Sequence, residues 1–174
     1  MKTIIIALDL GTNAGWAIWG LNTTTKSFML TSSGNWKLKT RSDESNGMRV
    51  IRFRNKLLEL VGGTSPEKLL IAYESVKNHG KGGSAAAHCY GALEGQLLAI
   101  CEEFRIDFVG VGVSEVKKFA TGKGNAGKPA MGEALAKVWT GKRLLTLPTS
   151  EDEVDAIWIG ASAAALKLNV SPEW

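Results

Sequence analysis

The 174 residues are enough for one domain with a real core. A hydrophobic share of 44% and a charged share of 22% exclude a disordered or fibrous chain. The net charge of +4 suits a polyanionic partner without establishing one.

In chain order, residues 3–10 form a β-rich apolar run that ends on Asp9. Asp9 also makes the run too short for a signal peptide, and no stretch approaches the roughly 20 apolar residues of a membrane span. Gly11-Thr12-Asn13 is a turn, and residues 14–20 (AGWAIWG) continue as the second arm of a hairpin. Residues 26–37 predict a third strand, interrupted at Ser32-Ser33-Gly34, so that the first three strands form an antiparallel meander. Residues 43–61 place Met48, Ile51, Phe53, Leu57, Leu58, Leu60 and Val61 at near-helical spacing, with a stop at Gly62-Gly63. Residues 68–74 (KLLIAYE) are a buried strand ending on Glu74.

An Ala/Leu-rich helix follows over 84–104, where Gly91 and Gly95 allow close packing, and then a strand over 106–113. Residues 114–121 and 127–139 read as short helices around the loop GKGNAG, and 150–168 as a final alanine-rich helix. The pattern predicts an α/β fold with helices on both faces of a mixed five-stranded sheet, its first three strands antiparallel. It shows no linker and no internal repeat. Cys89 and Cys101 lack partner motifs and fit reduced thiols in a cytoplasm better than a disulfide or a zinc site.

Four acids are candidates for chemistry. Asp9 ends the first strand and Glu74 the fourth, while Asp152 and Asp155 open the last helix three residues apart, on one face. If the first and fourth strands are neighbours, Asp9 and Glu74 share an edge. Grouped carboxylates repel unless cations neutralise them, and hard oxygen donors suit Mg²⁺ or Mn²⁺. Two such ions roughly 3.5–4 Å apart activate water and stabilise the leaving oxygen in phosphodiester hydrolysis.

Local explanations compete with this one. An acid after an apolar strand is often the first solvated loop residue. Ser150 with Glu153 matches a capping box, and acids in a first helical turn favour the helix dipole. Asp155 lies beyond that turn, directly before AIWIGASAAAL, and escapes the local explanation.

The segments ALDLGTNAGWAI, IAYESV, SEVKKFATGKGNAGK and DEVDAIWIGAS, in this order, resemble the RuvC-like Holliday junction resolvases of the ribonuclease H-like superfamily, in a phage or bacterial version. The resemblance implies a single ribonuclease H-like nuclease domain over residues 1–174. It also implies a homodimer that nicks two strands of a four-way DNA junction with two Mg²⁺ ions, which Mn²⁺ can replace. By motif position, Asp9, Glu74, Asp152 and Asp155 resemble the family's catalytic, metal-binding acids. Glu151 and Glu153 flank the last pair, with Glu153 as the cap. Lys117 and Lys128 resemble its conserved basic positions.

One departure widens the expected substrate to branched DNA generally. Bacterial members carry an aromatic shortly after the glutamate strand, where this chain has Ser75-Val76-Lys77-Asn78-His79. Two Gly/Lys segments offer DNA contacts, one with Lys77 and Lys81, the other with Lys117, Lys118, Lys123 and Lys128. His79 and His88 are scattered, and a metal-bound water needs neither as a base. The dimer surface is expected on the helices over 43–61 and 84–104.

Two other classes stand beside this reading. D-L-G-T-x-x-G also resembles the first phosphate motif of actin-like sugar kinases and chaperone ATPases, where Asp9, Gly11 and Thr12 would handle ATP. A non-catalytic branched-DNA-binding module is the third, against which the presence of all four acids speaks.

Overall fold

The computed structural model describes residues 2–76, 83–139, 147–148 and 150–174. Its centre is β1 (Ile4–Asp9), whose Ile5, Ile6, Ala7 and Leu8 are completely buried. A strand buried on both faces needs apolar side chains at consecutive positions, which is why the run is unbroken. β2 (Asn13–Asn22) pairs antiparallel with β1, and β3 (Ser27–Lys37) antiparallel with β2. β4 (Leu69–Ser75) lies parallel to β1 on its other side, and β5 (Asp107–Gly112) extends the sheet parallel to β4. The first and fourth strands are thus neighbours, as expected.

Alternation along the strands sorts the core into two layers. Ile6 and Leu8 of β1 face α1 (Asn46–Val61) and α2 (Ser84–Phe104), meeting Phe53, Leu57, Leu93 and Leu97. Ile5 and Ala7 face the other way, into a layer with α3 (Val113–Thr121), α4 (Lys128–Val138) and α5 (Glu151–Lys167). α5 is the central helix of that layer, and its residues Ala156 to Ala164 are all buried. Small residues let such a helix lie close on the sheet. At Gly160 an added Cβ would come within 2.3 Å of Trp19 Nε1.

The structure differs from the sequence expectation in four places. The sheet has six strands among the described residues, in the order β5-β4-β1-β2-β3-β6, because Pro172–Glu173 form a short β6 parallel to β3. The Glu173 carboxylate accepts a 2.6 Å hydrogen bond from Ser27 Oγ, and Trp174 packs 4.9 Å from Trp158 and 5.3 Å from Trp19. β3 runs unbroken through Ser32-Ser33-Gly34. Its irregularity is a bulge one residue earlier, where Thr31 has no partner in the ladder and its hydroxyl donates to the Ile18 carbonyl at 3.0 Å. α1 starts at Asn46 rather than 43, because the Glu44 carboxylate is held by the Arg41 backbone N–H (2.8 Å) and by the Arg52 guanidinium. Gly91 and Gly95 of α2 have nothing within 4 Å of an added Cβ, so they serve no close packing among the described residues.

Cys89 and Cys101 are free thiols, and burial pushes Cys101 up to about 12. Among the described residues no helix is long and apolar enough to cross a membrane.

Candidate functional site

The parity that builds the core also aims the acids. Asp9 follows Ile5 and Ala7 on the α5 side of β1, and Glu74 follows Leu70 and Ala72 on the same side of β4. The β1–β4 ladder pairs Leu8 with Tyr73, so each acid stands one residue past that pair, at one sheet edge. Asp9 is also the cross-strand partner of Gly15 on β2. The first turn of α5 rests on Gly15 so closely that an added Cβ would lie 1.8 Å from the Asp152 carbonyl oxygen. That contact delivers Asp152 and Asp155 to the edge that carries Asp9 and Glu74. Gly15 is therefore a positioning residue, and sequence reasoning passed over it as one strand residue of AGWAIWG.

The acids feel one another. Desolvation in the partly closed edge, then the charges of Glu74, Asp155 and Asp152, raise the Asp9 carboxyl well above the ordinary range, with Lys128 opposing. Glu74 is raised by burial and by Asp155, with Lys117 and Lys128 opposing. Asp155 is raised by burial against Lys128, with Asp152 adding to the rise. For Lys128, burial disfavours its charge, but the hydrogen bond to Glu151 and the charges of Asp155 and Asp152 outweigh it and hold the ammonium above the usual lysine value. Its Nζ lies 3.2 Å from Glu151 and 4.0 Å from Asp155.

These shifts predict an inverted pH dependence for the metal-free protein. Unfolded carboxylates titrate near 4 (roughly). Three carboxyls with raised native values make the folded chain bind more protons than the unfolded chain between that range and their own values. Stability therefore rises as pH falls from neutral into that window. Glu44 and Glu115, lowered chiefly by hydrogen bonds to Arg52 and Lys167, oppose this only at more acid pH. Thermal unfolding in chelator should show the rise, and Asp9→Asn should flatten it. Equal pH slopes for the two proteins would remove Asp9 from the account.

Of the basic candidates, the structure brings Lys117 and Lys128 to the acids. Lys118 and Lys123 are exposed on α3 and on the loop after it, and neither is among the charges that shift Asp9, Glu74 or Asp155. Lys77, Lys81 and His79 lie outside the described residues. The expected capping box at the start of α5 does not form. Ser150 makes no side-chain cap, and Glu153 instead accepts a 2.7 Å hydrogen bond from Ser33 Oγ on β3.

The donor set fits divalent cations in charge and hardness, since four carboxylates face two lysines and one lysine is shared with Glu151. Among the described residues no group of three or more His, Cys, Asp or Glu stands close enough together to hold a metal ion as it is. The four acids come from three elements, β1, β4 and α5.

No protein-family model matches the chain, and no curated protein sequence matches it significantly. Solved structures do match. The Thermus thermophilus RuvC structure has a TM-score of 0.73 at 21% identity, covering 98% of this chain and 99% of that one. T. thermophilus RuvC in complex with Holliday junction substrate has a TM-score of 0.72 at 21% identity, covering 96% and 95%. The fowlpox virus Holliday junction resolvase has a TM-score of 0.56 at 13% identity, covering 91% and 96%. The chain therefore has the ribonuclease H-like fold of the RuvC resolvases, nearly end to end.

Proposed function

We propose that this chain is a metal-dependent endonuclease that resolves four-way DNA junctions and cuts other branched DNA, acting as a homodimer in the cytoplasm. The observation that carries this reading is the convergence of Asp9, Glu74, Asp152 and Asp155 from β1, β4 and α5 at one sheet edge, within a RuvC-like fold. The solved neighbours include RuvC with Holliday junction substrate and the fowlpox virus resolvase in a substrate Holliday junction DNA complex.

In this reading the four acids hold two Mg²⁺, replaceable by Mn²⁺. When bound, the ions supply an activated water and charge stabilisation at the leaving oxygen. The chain's own contribution is rigidity and field. The four acids come from three elements fixed in the buried layer, so they cannot spread apart as freely as loop acids. Lys128, at the start of α4, pairs with Glu151 and Asp155 and so offsets negative charge beside Asp9. Lys117, whose charge reaches Glu74 and Asp155, lies where it can offset charge on the phosphate being cut.

The two neighbouring lysines of α3 then separate by role. Lys118→Ala should weaken junction binding and reduce its salt slope by about 1, with cleavage at saturating DNA unchanged. Lys117→Ala should slow cleavage even at saturation. Identical effects from both would contradict the division.

The deciding experiment is cleavage with Mg²⁺ on a four-way junction, flap, duplex, single strand and RNA:DNA hybrid in parallel. Preferential junction nicking supports the proposal. ATP hydrolysis without DNA, or binding without Mg²⁺-dependent cleavage, overturns it.

A further inference from the structure

The opposite face of the same sheet edge carries a second feature. A groove of about 630 Å³ lies between the beginnings of α1 and α2 and reaches Thr12, in the turn just beyond Asp9. Arg49, Asn46 and His88 line it, together with Ser84, Ala85 and Ala86. No lining residue among those described is acidic. The first turns of α1 and α2 contain no acid either. Asn46 and Ser84 are the first residues of those helices, so both positive helix ends open on the groove.

Arg49 is the informative residue. Its neighbours on α1 are paired, Arg52 with Glu44 and Arg54 with Glu103 at 3.0 Å. The Arg49 Nε–H is shut off from solvent and has no hydrogen-bond acceptor. A buried donor without an acceptor carries an unrecovered desolvation cost. A phosphodiester seated against the guanidinium supplies the missing acceptor, because its two unesterified oxygens accept from the Nε and Nη edge together. The requirements are a cation with an unused donor, two helix ends of the same sign, and no competing carboxylate. All three are met here.

We infer that this groove binds a backbone phosphate of the DNA, flanking the position that the acids cut, with Arg49 as its main ligand and Asn46, Thr12 and His88 around it. The inference rests on the nuclease reading and adds a contact on the α1–α2 side of the sheet. A strand that crosses the edge at Asp9 is then held on both sides of the cut, which fixes its register.

The test uses the full chain carrying Asp9→Asn, so that junction binding is read without cleavage. Arg49→Gln should weaken binding about tenfold near 0.1 M salt and lower the salt slope by about 1. Asn46→Asp guards against loss of fold. An acid in the first turn of α1 favours the helix dipole, so its Tm should hold or rise while junction binding falls. Unchanged affinity and slope in both variants, with the parent binding and the wild type cutting, would overturn the groove and leave the nuclease standing. Titration with inorganic phosphate, followed by the His88 ring resonances, identifies the source of the anion. A His88 response that Arg49→Gln abolishes, beside unaffected junction binding, would mean a free-anion site and overturn the DNA contact. If the wild type neither binds nor cuts branched DNA, the nuclease reading falls. The DNA contact falls with it, and the titration then decides only whether the groove binds an anion.

Discussion

Replacing Asp9 with asparagine is expected to cut junction cleavage by more than about a hundredfold while leaving junction binding nearly intact. Asparagine keeps the size and one oxygen but loses the charge. Losing an outer partner of a metal ligand already costs about 10- to 100-fold, so loss of a direct ligand should exceed that. Binding survives because phosphate contacts come from cations elsewhere. The same substitution should move stability the other way. Burial disfavours the Asp9 carboxylate most, and the charges of Glu74, Asp155 and Asp152 add to it. Removing its charge relieves the metal-free fold, so Asp9→Asn should melt above the wild type at neutral pH in chelator. With saturating Mg²⁺ the order should narrow or reverse, since the wild type gains more from the ion. Cleavage at the wild-type rate, or a lower Tm in chelator, would each refute the assignment. A merely misfolded variant could not show lost cleavage together with raised stability.

The sequence made some of this legible and hid the rest for definite reasons. β1 and β4 are unbroken apolar runs that stop on an acid, so both the strand and the residue at its end could be read locally. Period-two alternation then puts Asp9 and Glu74 on the same side once the strands are known to be neighbours. β6 could not be read, because two residues including a proline carry no strand signal of their own. It exists because Glu173 finds Ser27 and Trp174 finds Trp158. Ser150 and Glu153 had the spacing of a capping box, but Ser33 on β3 offered Glu153 a partner from outside the helix. A local motif loses when a tertiary hydrogen bond of similar strength competes for the same carboxylate. Composition does not tell Lys117 from Lys118; the resemblance singled out Lys117, and the helix phase sends it toward the acids.

Gly15 is the clearest case of a requirement invisible in one dimension, and it carries the largest structural prediction. Nothing in AGWAIWG marks this glycine as special, and no turn demands it. The demand comes from α5, whose first turn arrives from the far end of the chain and lies on it. In Gly15→Ala the new Cβ would sit 1.8 Å from the Asp152 carbonyl oxygen and 2.3 Å from its carbon. Real Cβ contacts essentially never fall below 3.0 Å, so the backbone at Asp152 must retreat by more than an ångström. The obstacle is backbone and cannot rotate away. Overpacking of this kind typically costs 1–3 kcal/mol, and the rigid partner here puts the cost at the top of that range, about 3 kcal/mol.

The retreat also carries Asp152 and Asp155 away from Asp9 and Glu74. Cleavage should therefore fall by more than about a hundredfold, as for loss of a ligand, even at temperatures where the variant is folded. Gly160→Ala is the control. Its Cβ would press on the Trp19 side chain, more than two turns farther along α5, so it should lower Tm while leaving cleavage by the folded fraction near wild type. Asp9 in Gly15→Ala should lose part of its raised pKa, because the neighbouring charges have moved off, and the variant's metal-free stability should change less as pH falls from neutral toward the ordinary carboxylate range. If Gly15→Ala cuts as fast as Gly160→Ala, the closeness of α5 to β2 does not set the geometry of the acids. The positioning role would then have to be found elsewhere on β2.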